Sequence, residues 1–487
     1  MVLIALAIAI PTYLLRGPGP SGEAPPGVRS VLVLPLHNAS GDPQQEYLAD
    51  GLTEALTGSL GRISALRVIS RASAMQYKGT AKSLSEIARE LKVDAVARGS
   101  VARFQDRVRV SVQLTQISTG RQLWGETYER DLRDVPAWQS EVASAVAREV
   151  KLKITPVEAA RLANARPVNR EAFEAYLRGR YWSDKRTEEA LHKAIDYFRR
   201  AIDEDPTYAP AYAGLADCYN QLGTVLIGSQ PPSTTRPLAA AAAAKALEID
   251  SELAEAHAAL AYTKLYDWNW SGAEQSFRRA IELNPSYAPV RIWHASYLVC
   301  TGRTEEALRE AGRAGELDPL SPIVTTQVGW IFHFARRYDE AIQHYLRVLE
   351  TDPNFPWALW QLGQTYTYKS MFEEANRTLE KAGTLSGRSP AVLGMLAYAY
   401  GSAGRTAEAR KLLKELTELS KRRYVPPASV AWGYFGLGDS DQAFEWMEKA
   451  CQERSNALAY LGVWPVVDPF RSDPRFRSLL RRIGLTE

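Results

Sequence analysis

The sequence predicts an α+β chain of two unlike parts: a small α/β sandwich domain, followed by an all-α superhelical solenoid of repeated helical hairpins. Three observations predict this organisation. Residues 29–152 alternate between strand-like and helix-like segments. Residues 171–455 carry small side chains at a fixed 34-residue interval. Hydrophobic residues make up 46% of the chain and charged residues 24%, which provides enough apolar surface for more than one core.

The first domain shows the element order β-α-β-α-β-β-β-α. A continuous apolar run such as SVLVLPL is typical of a buried strand, and the strict alternation in RVRVSVQLTQI is typical of a half-buried strand. One mixed sheet with helices packed against it is therefore predicted. The predicted elements are strand 30–36, helix 46–60, strand 66–77, helix 83–93, strands 94–104, 107–117 and 121–132, and helix 135–152.

The second part repeats with a 34-residue period. A series with this step from Ala239 to Ala443 meets alanine at all seven positions. A second series, from Ala261 to Ala431, holds only alanine or glycine at six positions. Small side chains at fixed places let antiparallel helices cross closely, and one hairpin alone cannot bury its apolar face. The pattern therefore predicts about eight stacked hairpins over residues 171–455.

Prolines mark the predicted ends of the second helices in this repeat. Pro285, Pro319 and Pro353 recur with the same period, and the residue before a proline disfavours the helical conformation. Near the start of the solenoid, the distance from Ala194 to Ala239 exceeds the period, and we assign the excess to a Pro/Ser/Thr-rich loop over residues 223–237. Residues 456–487 fall out of register and are interpreted as a C-terminal capping helix that shields the last repeat from water.

The 34-residue period, with its small and large positions and its terminal prolines, resembles the tetratricopeptide repeat (TPR). The first domain resembles the TolB amino-terminal-like domain through its element order and the phrases VLPLHNAS, YLADGLTEAL and GSVAR. Together these features resemble the sensor or scaffold half of bacterial membrane signalling proteins. The resemblance implies a membrane-proximal or extracytoplasmic interaction module. In such families the cytoplasmic side can carry a winged-helix DNA-binding domain, a Ser/Thr kinase or a nucleotide cyclase. This sequence contains none of these domains, so the resemblance does not transfer their activities.

The N-terminus is interpreted as a membrane or export segment. Residues 2–15 are apolar and uncharged, but as a helix they rise only about 21 Å, short of a hydrocarbon core of about 30 Å. We interpret residues 1–15 as part of a transmembrane helix, with a signal peptide as the alternative. Residues 16–28 and 153–170 are predicted linkers. The expected location is the bacterial inner membrane in a single pass, with the folded part in the periplasm; a secreted or cytoplasmic protein is the alternative.

Composition and motifs argue against an enzyme and against nucleic-acid binding. The 59 basic and 56 acidic residues give a net charge of +3, which predicts no broad basic surface. The sequence contains none of the motifs GxxxxGK[ST], GxSxG, HExxH, HRD or DFG. Its three cysteines are far apart and form no CxxC pair. We therefore expect no catalytic residue, cofactor, metal or nucleic-acid partner.

In repeats of this kind the first helices line a concave groove, and here the positions that should face it are rich in aromatic residues. Aromatic and amide side chains offer a large contact area at low entropic cost, which suits an extended peptide or an amphipathic helix. Packing of the rings between neighbouring repeats is the alternative for each of them. The predicted partner-binding residues are Tyr262, Tyr266, Trp330, Phe334, Trp360, Gln364, Tyr368, Tyr398, Trp432 and Phe435.

The sequence thus predicts a non-enzymatic protein–protein interaction scaffold. It would bind a protein or peptide partner in the aromatic groove and be tethered to the membrane through the N-terminal apolar segment. The alternative is the extracytoplasmic sensory half of a transmembrane signalling protein. In that case the effector domain, of regulator, kinase or cyclase architecture, is missing from this chain.

Overall fold

The computed structural model describes residues 27–485, apart from residues 106, 153, 164–166, 225–226 and 228. These residues form an N-terminal α/β domain followed by a helical solenoid, as the sequence predicts. The predicted membrane segment 1–15 and nearly all of the linker 16–28 lie outside the described residues. No helix in the described part combines the length and the apolar character that crossing a bilayer requires.

A six-stranded mixed sheet forms the centre of the α/β domain. The strands are β1 (Ser30–Val33), β2 (His37–Asn38), β3 (Arg67–Val68), β4 (Ala95–Phe104), β5 (Arg107–Gln116) and β6 (Gln122–Asp131). They lie in the order β3-β1-β4-β5-β6, and β2 pairs with β4. The pairs β1/β3, β1/β4 and β2/β4 are parallel, whereas β4, β5 and β6 form an antiparallel meander. The register places Val31 between Val68 and Ala95.

Helices cover both faces of this sheet. They are α1 (Glu46–Gly61), α2 (Arg71–Met75), α3 (Leu84–Leu91) and α4 (Val135–Glu149). Helices α1 and α4 share one buried cluster with the inward side chains of β5, in which Leu52 and Trp138 are large members. Helices α2 and α3 share a cluster on the other face with Leu32 and Val96. The alternation of side chains along the strands separates the two clusters.

The predicted strand over residues 66–77 is wrong for most of its length. Only Arg67–Val68 forms a strand, and the chain then turns into α2. Ser70 has an extended backbone, and its side chain accepts a hydrogen bond from the backbone N–H of Ser73. Serine is a favoured residue at this position before a helix. The local cap therefore ends the strand earlier than the apolar pattern predicts.

Eight helical hairpins follow in the described residues. Their first helices are α6 (Arg170–Ser183), α8 (Ala209–Leu222), α10 (Ala254–Tyr266), α12 (Ala288–Cys300), α14 (Pro322–Phe334), α16 (Pro356–Tyr368), α18 (Pro390–Ser402) and α20 (Pro427–Gly436). Their second helices are α7 (Glu188–Glu204), α9 (Pro232–Ile249), α11 (Trp270–Leu283), α13 (Thr304–Leu317), α15 (Tyr338–Thr351), α17 (Phe372–Leu385), α19 (Thr406–Ser420) and α21 (Ser440–Gln452). One further helix, α5 (Pro156–Ala163), lies inside the predicted linker 153–170.

The small positions of the repeat lie where helices touch. Ala273, Ala307 and Ala341 are all 0% exposed. A Cβ atom added to Gly329 would lie 2.6 Å from a ring carbon of Tyr345, closer than real Cβ contacts come. The prediction that small side chains recur where neighbouring helices nearly meet is therefore confirmed.

The prolines end the helices where the sequence predicts. Helices α11, α13 and α15 each end two residues before a proline of the periodic series. The predicted loop 223–237 is too long, because α9 already begins at Pro232. Proline is compatible with the first turn of a helix, where the missing N–H has no intrahelical partner to lose.

The chain closes with two 3-10 helices, Asn456–Tyr460 and Pro465–Phe470, and the helix α22 (Pro474–Arg482). The predicted capping helix over residues 456–487 is therefore a nine-residue helix preceded by an irregular segment. Two arginines of α22, Arg475 and Arg482, form ion pairs with Asp441 and Glu448 of α21. These pairs fix α22 beside the last hairpin.

The α/β domain docks on the solenoid through a hydrogen-bonded seam. The hydroxyl of Ser73 donates to Oδ1 of Asp318 at 2.6 Å and accepts from the backbone N–H of Leu320 at 2.9 Å. The backbone N–H of Ser70 donates to the carbonyl of Leu317 at 2.8 Å. Ser73 is 0% exposed and Asp318 is 3% exposed, so water cannot replace these bonds easily. Polar pairing thus couples α2 to the end of α13.

Ser73→Ala is expected to lower the free energy of unfolding by about 1–3 kcal/mol, because it leaves Asp318 and the Leu320 N–H without this buried partner. Urea denaturation measures the loss, and limited proteolysis shows whether the two domains separate first. Ser85→Ala is the matched control: Ser85 is exposed on α3, and its substitution should change stability by less than about 0.5 kcal/mol. If both substitutions lowered the free energy of unfolding equally, the hydrogen-bonded seam would not contribute to stability as proposed.

Candidate functional site

The ten predicted partner-binding residues lie on five first helices of the solenoid. Tyr262 and Tyr266 are on α10, Trp330 and Phe334 on α14, Trp360, Gln364 and Tyr368 on α16, Tyr398 on α18, and Trp432 and Phe435 on α20. The spacing of four residues within α10, α14 and α16 places their members on one face of each helix. Stacking of the hairpins brings these faces side by side, and we call the resulting surface the aromatic face.

Ring contacts join the helices of the aromatic face. The ring centres of Trp330 and Trp360 are 6.4 Å apart, and those of Trp360 and Trp432 are 6.2 Å apart. Tyr368 lies 5.7 Å from Tyr398, while Tyr262 packs 5.1 Å from Trp293 of α12. Ring contacts thus join α14, α16 and α20 through Trp330, Trp360 and Trp432, and α16 to α18 through Tyr368 and Tyr398.

The aromatic face is covered by the chain itself. Residues 456–470, which we call the C-terminal segment, run across it after α21. The ring of Tyr460 stacks on Phe334 at 4.7 Å and meets Trp330 edge to face at 6.0 Å. The ring of Trp464 lies 5.1 Å from Trp432. Eight of the ten predicted residues are no more than 9% exposed; Tyr368 and Tyr398 are half-buried.

Polar contacts hold the two ends of the C-terminal segment. Arg236 of α9, only 5% exposed, donates to Oδ1 of Asn456 at 2.5 Å and to Asp267 at 3.1 Å. At the other end, Arg336 donates to Oδ1 of Asp468 at 3.0 Å. Between the two ends, the contacts with the aromatic face are made mainly by rings and aliphatic side chains.

Three rings at the aromatic face, Tyr262, His333 and Tyr398, are neutral at physiological pH. Burial raises the pKa of the Tyr262 hydroxyl to about 12, and burial likewise raises the pKa of Tyr398 to about 12. Burial lowers the pKa of His333 to about 3, with a further contribution from the nearby charge of Arg336. These rings therefore carry no charge, and the aromatic face offers apolar surface and neutral hydrogen-bonding groups.

Several buried polar atoms at the aromatic face have no hydrogen-bond partner among the described residues. Both amide atoms of the Gln364 side chain, which is 0% exposed, lack a hydrogen bond within the part of the chain that the structure describes. The same holds there for Nε1 of Trp360 and Nε2 of His333. Buried polar groups in native proteins are nearly always paired, with protein or with water. Among the described residues, the hydrogen-bonding capacity of these atoms is unused.

Sequence reasoning found the aromatic face but missed what covers it. Tyr460, Trp464 and their apolar neighbours were interpreted only as part of a capping helix. The run ALAYLGVWPVV over residues 457–467 contains no charged residue, which is a signal for burial rather than for a surface cap.

A second depression lies in the α/β domain, at the carboxyl end of β1. It holds about 600 Å³ and is lined by residues of the loops after β1 and α2, with Lys82 and Arg98 at its rim. The strand order reverses at β1, and crevices at such points commonly bind ligands in open α/β sheets. Asp42 in the adjoining loop caps the following turn by accepting from the N–H of Gln44 at 2.8 Å. Among the described residues, no cluster of potential metal ligands is present.

Two stretches of the chain match models of one repeat family. Residues 336–368 match the model described as TPR repeat, and residues 390–423 match the model described as tetratricopeptide repeat. Both stretches lie in the region where the 34-residue period is strict. The chain therefore contains tetratricopeptide repeats, as the sequence resemblance predicts.

A longer bacterial protein is similar in sequence to about half of the chain. It carries the name "Putative adenylate cyclase 3", comes from Rhizobium meliloti (strain 1021), and is 34% identical over 256 residues. The match includes 52% of this chain but only 42% of the relative. The chain thus spans less than half the length of the relative that it matches.

Solved TPR structures resemble parts of the chain. A structure of Pseudomonas aeruginosa pilF matches with a TM-score of 0.35 and 19% identity, over 50% of this chain and 98% of that one. A thermophilic TPR protein of Thermus thermophilus matches with a TM-score of 0.35 and 16% identity, over 40% and 98%. YrrB, described as a TPR protein with an unusual peptide-binding site, matches with a TM-score of 0.27 and 26% identity, over 39% and 91%.

Proposed function

We propose that this chain is a non-enzymatic scaffold that binds an extended segment of a protein partner on the aromatic face of its TPR solenoid. One observation carries the proposal: this face already accommodates a peptide segment, through rings such as Tyr460 and Trp464 stacked on its own rings. Aromatic side chains supply much contact area for little lost entropy, and the unpaired amide of Gln364 can pair with the backbone of a bound peptide.

Site-specific photo-crosslinking in the native host tests this proposal. A benzophenone amino acid in place of Tyr398, half-buried at the aromatic face, should crosslink to a partner peptide that mass spectrometry identifies. The matched control replaces Leu385, which is 40% exposed on the second helix α17. Partner crosslinks that form equally at both positions, or only at position 385, would reject the aromatic face as the binding surface.

A second function is favoured by the sequence relative. We propose as the alternative that the chain is the sensory or regulatory half of a longer signalling protein with a nucleotide cyclase. The similarity to the protein named as an adenylate cyclase, of which the chain spans only 42%, supports this proposal. Cyclic AMP formation by the complete gene product, compared with a chain of residues 27–485 alone, tests it. Activity is expected only in a longer product; a complete product without cyclase activity would remove this alternative.

We also propose that residues 1–15 tether the protein to the bacterial inner membrane, with the folded part in the periplasm. The uncharged apolar run at residues 2–15 supports this placement. Alkaline phosphatase, which is active only in the periplasm, should be active when fused to the C-terminus. Deletion of residues 1–26 should abolish that activity and release the protein from the membrane fraction. An inactive fusion to the intact chain would place the folded part in the cytoplasm.

A further inference from the structure

We infer that the C-terminal segment, residues 456–470, is a built-in ligand that occupies the aromatic face until a partner segment of similar chemistry replaces it. This inference rests on the proposed function of the face. Tyr460 and Trp464 are four residues apart and insert into the same ring cluster around Trp330. A partner that competes for this place needs two aromatic side chains at comparable spacing.

The segment is tethered on both sides, so it can leave the face as a loop. On its C-terminal side, α22 is attached to α21 by the ion pairs Arg475–Asp441 and Arg482–Glu448. On its N-terminal side, the chain leaves α21 through Arg454, whose φ of 53° lies in the left-handed region. Neither attachment involves the aromatic face. Release of the segment as a loop breaks neither of these ion pairs.

The fit between the segment and the face is incomplete in polar terms. The amide of Gln364, Nε1 of Trp360 and Nε2 of His333 are buried without a partner in the described part of the chain. Within the described residues, the segment supplies no hydrogen bond to these atoms. A partner with backbone or amide groups at these positions gains bonds that the C-terminal segment does not make. These additional hydrogen bonds would favour displacement of the C-terminal segment by such a partner.

The rim of the face adds a charge requirement. Arg336 forms an ion pair with Asp468 at 2.9 Å and donates to the carbonyl of Val463 at 3.2 Å. Departure of the segment frees this guanidinium for a carboxylate of the partner. The partner expected from the structure is therefore an extended segment with two aromatic residues followed by an acidic residue.

Tethering makes the internal segment a strong competitor. The effective concentration of a linked segment is of the order of 1 mM. When the internal segment and a free peptide bind the open face with the same Kd of about 10 μM, the closed chain binds the free peptide about a hundredfold more weakly. The wild-type chain is thus expected to show low affinity for free peptides, and weakening of the segment should reveal the hidden affinity.

Fluorescence anisotropy with one defined probe tests the inference. The probe is a labelled synthetic peptide of residues 456–470, titrated into the full chain. The variant Tyr460→Ala/Trp464→Ala removes the anchors of the internal segment and is expected to bind the probe at least tenfold more tightly than wild type. Asp468→Lys, at an exposed rim position, is expected to do so to a smaller extent. Asp441→Lys is the matched control, since it breaks a C-terminal ion pair outside the aromatic face.

The outcomes separate the inference from the proposed function. Equal probe affinity of wild type and variants, or no binding by variants that circular dichroism shows to be folded, would overturn the built-in ligand. So would dimers of the variants on mass photometry, because the occupant would then be a second copy. Partner crosslinks at position 398 in excess of those at position 385 can still occur in each of these cases, and this comparison decides the proposed function.

Hydrogen exchange of the wild-type chain gives a test that depends on no variant. Backbone N–H groups of residues 457–467 are expected to exchange at least tenfold faster than those in the centres of α14 and α16, because the segment opens without unfolding the repeats. Exchange of the segment at the same rate as these helices would show that it is a permanent part of the core, and would overturn the inference.

Discussion

Gly394→Val is expected to lower the free energy of unfolding by at least about 3 kcal/mol, the upper range for an overpacked core. A Cβ atom at Gly394 would lie 2.1 Å from the carbonyl oxygen of Ser429, an atom of the α20 backbone. No change of rotamer relieves a contact with backbone, so α18 and α20 must move apart. Gly436 makes the reciprocal approach, with its Cβ position 2.5 Å from the carbonyl oxygen of Tyr398.

The separation of α18 and α20 should also be visible at the aromatic face, because α20 carries Trp432 against Trp464. Urea denaturation measures the stability, and a red shift of tryptophan fluorescence reports the loosened rings. Gly312→Ala is the matched control: Gly312 lies in α13 with no heavy atom within 4 Å of its Cβ position. Alanine there should stabilise the protein by about 0.5–1 kcal/mol through helix propensity. The two substitutions should change the free energy of unfolding in opposite directions. Destabilisation by both would indicate that the repeats do not tolerate glycine substitutions in general, and would contradict the role of the close contact at Gly394.

The period of small residues was sufficient to predict the hairpins but not this crossing. The 34-residue series passes through Ala397 and Ala431, which are buried at 0% exposure, whereas Gly394 and Gly436 stand outside it. Helix α20 has only 10 residues and begins at Pro427, so the last hairpins pack with a geometry that their predecessors do not share. A repeat pattern predicts the contacts that all hairpins share. The close contact between α18 and α20 occurs in one pair of hairpins, so the 34-residue period does not predict it.

At the aromatic face, too, the sequence predicts the local arrangement of side chains but not the long-range contacts. Helical spacing placed the aromatic residues on one face, because spacing within a helix is a local property. The C-terminal segment that covers this face comes from a distant part of the sequence. Its residue Asn456 bonds to Arg236, which lies 220 residues earlier in the chain. Closure of the superhelix brings such residues together, and no local pattern encodes the angle through which the hairpins turn. The apolar run at residues 457–467 indicates that these residues are buried, but not which surface of the protein they pack against.

The protein is expected to lose stability on acidification between about pH 6.5 and pH 4, through two buried histidines. Burial lowers the pKa of His294 to about 4, against the opposing influence of Glu310 and Glu274, and lowers the pKa of His333 to about 3. In the unfolded chain both pKa values return to about 6.5. Unfolding below that pH therefore takes up protons, so the folded state is favoured fully above pH 6.5 and progressively less below it.

The expected magnitude is about 2 kcal/mol for each histidine between pH 6 and pH 4.5, from 1.36 kcal/mol per pH unit and bound proton. His333→Asn removes the titrating ring and preserves a group at the place of Nδ1, which lies 2.8 Å from Oγ1 of Thr365. His294→Phe preserves the ring beside Tyr297. The double variant should show a flatter dependence of unfolding free energy on pH in this window, measured by urea denaturation.

Carboxylates act in a lower window: hydrogen bonds from Arg303 hold the pKa of Glu274 at about 2, so its contribution is lost only as the pH falls below about 4.5. Stability that declines only below pH 4.5, or an unchanged slope in the double variant, would contradict the role of the histidines. Because His333 stacks on Trp330 beneath the C-terminal segment and has a pKa of about 3 in the folded chain, the tryptophan fluorescence of the folded protein should change only as the pH falls toward 3.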